Sequence, residues 1–161
     1  MAAVGITRSL HSQGRWELRA GGASFVYERA APGVLLLTVT GIDRGQFGSE
    51  PLREISAEID RQGSLHLFVN AKAAVAVWPH VSREWTQFFW RERARLRRVS
   101  VLVGSRAIGL TIEIAQHLAR TGNLVQIYSD EELFKQLLEA SAAGAATDGP
   151  SSSPSGILVP R

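Results

Sequence analysis

The sequence predicts a single α/β domain with a mixed, mostly parallel sheet and helices packed on it. From residue 33 onward, strand-like and helix-like segments alternate, which is typical of parallel strands joined by right-handed crossovers. The run GVLLLTVTG at residues 33–41 is nearly all apolar or β-branched and too short for a core helix, so it indicates a strand buried on both faces. A length of 161 residues suffices for one sizeable core.

Four strands and four helices make up this alternation. The strands are predicted at 33–41, 65–70, 99–104 and 124–129, and the helices at 49–63, 82–98, 107–121 and from 130 onward. Ser49, Ser82 and Asp130 stand at helix starts, where a side-chain oxygen can accept a hydrogen bond from a backbone amide of the first turn. Gly63 is placed to end the first helix.

The N-terminal part adds a predicted hairpin at one edge of the sheet. Two short segments rich in aromatic and β-branched residues, at 15–20 and 23–30, are separated by Gly21-Gly22, a pair that favours a tight turn. Residues 1–13 are predicted to be a flexible lead-in. The domain itself is therefore predicted to span residues 14–142.

Residues 143–161 are predicted to be a disordered tail. They are rich in Gly, Ser and Pro and show no apolar periodicity. The last four residues, LVPR, are the left half of a thrombin recognition site and indicate a remnant of expression.

Composition excludes several classes of function. The chain has no cysteine, which excludes disulfides, thiolate catalysis and cysteine metal sites. It has neither an apolar run of the roughly 18 residues that a membrane span needs nor a signal-peptide layout, so a cytoplasmic location is expected. Arginine far outnumbers lysine, and Ala and Gly are abundant, which suggests a GC-rich bacterial genome.

The positive charge is concentrated in the helix predicted from Ser82 to Arg98. Six arginines face only two glutamates between Arg83 and Arg98, while the whole chain carries a net charge of +3. At about 100° per residue, Trp90 points about 140° away from Trp85 and the core stripe, beside Arg83 and Arg97. Trp90 could lie over arginine stems, stack on nucleic acid, or form an interface with a partner or a second copy.

Several local patterns together resemble the STAS domain, the fold of bacterial anti-sigma-factor antagonists. The segment Thr40-Gly41-Ile42-Asp43 matches the glycine and aspartate that follow the family's first long strand. The amphipathic helix over 52–63 and the closing segment TGNLVQIYSDEELFKQLL at 121–138 match as well. The resemblance implies a regulatory module that binds proteins, carries no catalytic residue and needs no cofactor.

The centre of the partner-switching site departs from the family pattern. Asn70 ends the central strand where such family members carry an aspartate, and only Ser82 can stand in for their phosphorylated hydroxyl. Both departures count against phosphoryl switching, although Ser82 remains the candidate phosphosite. Trp78, Ser82, Arg83, Trp90 and Arg97 are the predicted partner-binding residues.

Other constellations predict no chemistry. The segment GSRAIGLT at 104–111 resembles a phosphate-binding loop, but Leu110 stands where that motif needs a lysine. His11, His66, His80 and His117 are scattered, and no third ligand lies near any His–Glu pair, so no metal site is predicted. Glu92 is expected to pair with Arg95.

The sequence thus predicts a non-enzymatic signalling module that binds a protein partner or a second copy of itself. Nucleic acid is not expected as a partner, and no membrane span is expected. The alternative is a small lipid- or metabolite-binding domain of the CRAL-TRIO type, whose gate would be the apolar loop at 74–78.

Overall fold

The computed structural model describes residues 5–104 and 124–147, which form one seven-stranded mixed sheet with helices on both faces. The strands are β1 (Thr7–Ser12), β2 (Arg15–Ala20), β3 (Ala23–Ala31), β4 (Val34–Asp43), β5 (Leu65–Val77), β6 (Leu96–Val103) and β7 (Val125–Tyr128). The helices are α1 (Glu50–Gln62), α2 (Pro79–Arg91) and α3 (Glu131–Thr147). The predicted helix at 107–121, the loop motif beyond Gly104 and His117 lie outside the described residues.

The strands lie in the sheet in the order in which they follow one another along the chain. Strands β1 to β4 pair antiparallel, and β4 to β7 pair parallel. The predicted α/β class is therefore confirmed. The Gly21-Gly22 hairpin is confirmed too, because Ala20 lies opposite Ala23 across the turn.

Two apolar clusters hold the helices to the sheet. On one face, Leu52, Ile55 and Ile59 of α1 join Phe88 and Phe89 of α2 in the larger cluster. On the other face, α3 places Phe134 against a smaller cluster of residues from β4, β5 and β6. The run 33–41 is buried on both sides because β4 supplies alternate residues to each cluster.

The structure differs from the prediction at both ends of the domain, in β1 and in α3. Residues Thr7–Ser12, predicted as flexible, form β1, whose side chains are almost all exposed. The strand is held by backbone pairing with β2 and by an ion pair from Arg8 to Glu54. Because no face of the strand is buried by the described residues, its sequence carries no apolar alternation from which it could be predicted. Helix α3 continues to Thr147, past the predicted domain boundary at 142, over an alanine-rich segment with high helix propensity.

The region around α2 is shifted by several residues. The predicted loop at 74–78 belongs mainly to β5, because Ala74, Ala76 and Val77 pair with the last residues of β4. Pro79 then opens α2 three residues before the predicted cap. The helix ends at Arg91, since Leu96 is drawn into the sheet beside Leu65.

Candidate functional site

The glycine and aspartate of the family-like motif lie in the last residues of β4, beside the segment from which α2 starts. Gly41 has a φ of 86° and lies against the backbone of Gly22 and Ala23. Asp43 is 5% exposed, and its Oδ1 accepts a hydrogen bond from the Gly45 amide at 2.9 Å. Its carbonyl accepts another from the Trp78 amide at 2.9 Å. Asp43 therefore fixes both the loop after β4 and the first residue before α2.

The environment of Asp43 shifts the pKa of its carboxyl upward. Burial raises its pKa above the ordinary value, and the negative charge of Glu84 raises it further. The hydrogen bond from Gly45 and the nearby His80 oppose that shift. His80 packs so closely on Gly45 that a Cβ added there would collide with its Nε2. One buried carboxyl, one exposed imidazole and one exposed carboxyl thus meet at the start of α2.

Two apolar side chains are exposed beside this group. Val75 is 60% exposed and Trp78 is 47% exposed. The Trp78 ring meets His80 edge to face, with ring centroids 6.3 Å apart. Trp78 also caps α2 through its carbonyl, which accepts hydrogen bonds from the amides of Val81 and Ser82. Its backbone is fixed by the fold while its indole is left in solvent.

Ser82 lies inside the first turn of α2 and not at its cap. Trp78 holds the cap position because Pro79 starts the helix earlier than the sequence indicated. The Ser82 amide bonds to the Trp78 carbonyl, and its own carbonyl accepts the Thr86 hydroxyl at 2.9 Å. The side chain is half-buried, whereas neighbouring Arg83 is exposed. Modification of Ser82 remains a prediction.

Trp90 lies near the other end of α2. It is 44% exposed, whereas Trp85 is half-buried and stacks on Phe25 with centroids 6.2 Å apart. The predicted difference between the two tryptophans is therefore confirmed. The guanidinium of Arg93 covers the Trp90 ring at 3.7 Å from its centroid. This cation–π contact leaves part of the indole open to solvent.

Two predicted site residues lie away from this surface. Arg97 was expected beside Trp90 on the helix, but it belongs to β6 and donates a hydrogen bond to the Gly33 carbonyl at 2.6 Å. Asn70 alternates with Val69 of the larger cluster, so it faces the side of α3, where its Oδ1 accepts the Lys72 amide at 3.1 Å. Both differences follow from strand boundaries that the sequence pattern did not reveal.

The structure instead brings together Asp43, Trp78, His80 and Glu84. The four-residue spacing of His80 and Glu84 is visible in the sequence. The approach of Asp43 to them could not be inferred, because it depends on β5 running on to Val77 beside β4. The expected ion pair of Glu92 with Arg95 is present, with N–O distances of 2.8 and 3.2 Å.

His66 lies on the face of the sheet that carries α3, away from this surface. Its Nε2 is 3.1 Å from the Ser100 hydroxyl, and its ring stacks on Phe68 with centroids 4.1 Å apart. Burial, together with the positive charges of Arg97 and Arg98, lowers the pKa of His66 from 6.5 to about 4.

This shift gives a pH dependence of stability. Because the folded protein binds the proton less readily than the unfolded chain, the contribution of neutral His66 is complete above pH 6.5 and is lost toward pH 4. We expect a loss of about 1–2 kcal/mol in that window, after allowing for solvent screening of a partly exposed ring. Urea unfolding of the wild type and of His66→Gln measures it. Parallel pH profiles of the two proteins would refute the assignment.

Among the residues that the structure covers, no three or more His, Cys, Asp or Glu side chains are grouped to hold a metal ion. Within the same residues, no helix is both long and apolar enough to cross a membrane. The exposed indole rings of Trp78 and Trp90 lie near the two ends of α2.

The fold is that of a mixed α/β domain, and two exposed tryptophans accompany α2. Among solved structures, the chain is similar to an uncharacterized protein from the DUF3478 family with a SpoIIAA-like fold, from Shewanella loihica PV-4. The identity is 13% and the TM-score 0.45, with 84% of this chain and 92% of that chain covered. SpoIIAA-like is the fold of the anti-sigma-factor antagonists that the sequence resembles.

No protein-family model matches the chain, and no curated protein matches it. At the observed identity and TM-score, the similarity to the solved structure assigns no activity to this chain.

Proposed function

We propose that the protein is a non-enzymatic, cytoplasmic regulatory module that binds a protein partner through the solvent face of α2. The observation that carries the proposal is the pair of exposed tryptophans, Trp78 before the helix and Trp90 near its end. Water contact with two large aromatic side chains is unfavourable, and buried tryptophans often dominate the binding free energy of interfaces.

The side chains between the tryptophans form a continuous stripe. The exposed residues of α2 that share this face are His80, Arg83, Glu84, Gln87, Trp90 and Arg91. Their spacing of three and four residues is that of neighbours on one side of a helix. Such a stripe suits docking into a groove or along another helix of a partner.

The charge of this surface favours an acidic partner. Arg83, Arg91 and Arg93 are exposed, while Glu84 is the one exposed acidic residue between positions 79 and 93. The carboxylate of Glu92 is largely buried and already engaged by Arg95. Complementary charge mainly accelerates and orients association, while the tryptophans contribute the larger part of the affinity.

The alternative of a lipid- or metabolite-binding domain relied on a movable apolar loop at 74–78. Residues 74–77 are hydrogen-bonded strand in the structure, paired with the end of β4. The proposed gate therefore lacks the freedom that the alternative assigned to it, and protein binding is the function we retain.

Binding by single-site variants tests the proposal. The immobilised chain is used to capture proteins from bacterial lysate, and the captured acidic protein is purified and titrated by calorimetry. We expect Trp90→Ala to weaken binding at least tenfold, the loss of one strong contact residue. Gln87→Ala, on the same exposed face, should bind as the wild type does.

The melting temperature separates binding from folding. Trp90→Ala should melt close to the wild type, because its ring is solvent-exposed, while Trp85→Ala should melt well below it because that ring packs on Phe25 and Phe89. Unchanged affinity of Trp90→Ala, or loss of binding only after nuclease treatment, would contradict a protein interface at α2.

A further inference from the structure

A single row of apolar side chains crosses the whole sheet on the face that carries α1 and α2. Successive strand pairings place in register Ile127, Val101, Val69, Leu37, Tyr27, Trp16 and Leu10. The five inner residues are at most 6% exposed, but Leu10 on β1 is 72% exposed. The buried row therefore continues to the sheet edge and ends there without cover from any described residue.

Arg8, two residues before Leu10 on the same face of β1, is not left uncovered in this way. Arg8 lies opposite Leu18 and draws its guanidinium back to Glu54 of α1, at 3.0 and 3.3 Å. The same guanidinium lies 5.9 Å from the centre of the Trp16 ring. Its charge is thus neutralised on the helix side and does not project from the strand edge.

The edge of β1 lacks most of the features that keep exposed strands from pairing. Proteins protect such edges with proline, lysine or unpaired charges. The strand TRSLHS has neither proline nor lysine, and its one arginine is paired with Glu54. A bulge after Leu10 is the one protective feature, and it leaves Thr7 to Leu10 in regular register.

We propose that β1 pairs antiparallel with β1 of a second copy, with Ser9 on the two-fold axis. Directly opposed residues in an antiparallel pair project to the same face of the sheet. In this register, each Leu10 lies opposite Arg8 of the second copy. The uncovered end of one row is then closed by the aliphatic stem of an arginine that Glu54 already holds.

Self-pairing is favoured over capture of an unrelated peptide because the strand is complementary to itself. It presents one apolar and one neutralised basic side chain on the same face, two residues apart. A two-fold axis at Ser9 matches each with the other and brings no pair of like charges into direct opposition. The resulting 14 strands would form one continuous sheet, built from two sets of seven.

Cysteine cross-linking tests this arrangement directly, because the natural chain contains no cysteine. Opposed Cα atoms about 4.5–5.5 Å apart fall within the range that a disulfide bridges. We expect purified full-length Ser9→Cys to form a covalent dimer rapidly in oxidised glutathione. Ser129→Cys, at an exposed site between β7 and α3, serves as the control and should form little covalent dimer.

Sedimentation of the unmodified protein gives the second measurement. An interface that consists of one pair of short strands is small, and it suggests a dimer that dissociates in the micromolar range. Leu10→Lys should weaken the dimer at least tenfold without lowering the melting temperature, because the side chain is exposed in the monomer. Trp90→Ala should leave the dimer intact, which separates this proposal from partner binding at α2.

Three results would overturn the proposal. The first is a Ser9→Cys protein that cross-links no faster than Ser129→Cys. The second is a wild-type protein that sediments as a monomer at every concentration. The third is a wild-type protein that forms assemblies larger than a dimer, which would indicate head-to-tail pairing between β1 and the opposite edge of the sheet.

Discussion

Replacing Gly41 with alanine should lower the free energy of unfolding by about 3 kcal/mol, from backbone strain together with steric overlap. Gly41 has a φ of 86°, a region that residues with a Cβ rarely occupy. An added Cβ would lie 2.7 Å from the Gly22 carbonyl oxygen and 2.8 Å from the Ala23 Cα. Neither backbone atom can move without opening the hairpin between β2 and β3.

Gly48→Ala is the matched control for this prediction. Gly48 also has a positive φ, 57°, but nothing lies within 4 Å of an added Cβ. We expect a cost of about 1 kcal/mol there, from the backbone conformation alone. Urea unfolding of both variants measures the difference. Equal costs would show that the contact with the hairpin turn contributes nothing.

The result bears on the family-like motif. If Gly41→Ala destabilises as expected, the glycine is needed to bring β4 against the hairpin two residues before Asp43. The motif would then be required by the fold of the site, independently of any partner. A Gly41→Ala protein that folds normally would remove this structural explanation.

Replacing Glu58 with alanine should lower the free energy of unfolding by about 2–3 kcal/mol, as expected when one partner of a largely buried ion pair is removed. Glu58 is 3% exposed and accepts two hydrogen bonds from Arg29, at 2.7 and 3.1 Å. The Arg29 guanidinium also lies 4.6 Å from the Trp16 ring centre. Partial exposure of Arg29 limits the loss, because water can reach the freed guanidinium.

An exposed ion pair on the same helix provides the comparison. Glu50 pairs with Arg53 at 3.3 Å, and both side chains are largely in solvent. Glu50→Ala should therefore cost no more than about 0.5 kcal/mol. The double variant Arg29→Met/Glu58→Leu should recover most of the stability lost in Glu58→Ala, since the one other partner of Glu58 among the described residues, Arg61, is exposed and no buried charge is left unpaired there. Similar losses in Glu58→Ala and Glu50→Ala would contradict the prediction.

Short-range chemistry explains the features that were predicted correctly. Two adjacent glycines specify the hairpin turn, and the positive φ values of Gly21 and Gly22 show the reason. Asp130 caps α3 as expected, with Oδ1 accepting the amides of Glu132 and Leu133. The solvent exposure of Trp90 follows from the 100° spacing of a helix.

Long-range pairing explains the features that were missed. Leu96 and Arg97 continue a helical pattern in the sequence, yet the sheet recruits them into β6 because Leu65 offers a parallel partner. The alternation of small and apolar residues at 71–77 suits a strand or a covered loop equally well. Only the extension of β4 to Asp43 decides between them.

The sequence by itself determined the class of fold, the order of its main elements and the separation of Trp90 from the core, because these depend on turn residues, caps and periodicity. The tertiary structure decided which residues meet at the start of α2 and at which residue β5 ends. It also decided that β1 is the edge strand of the sheet. Those outcomes depend on hydrogen bonds between strands distant in the chain, and local residue patterns do not encode that register.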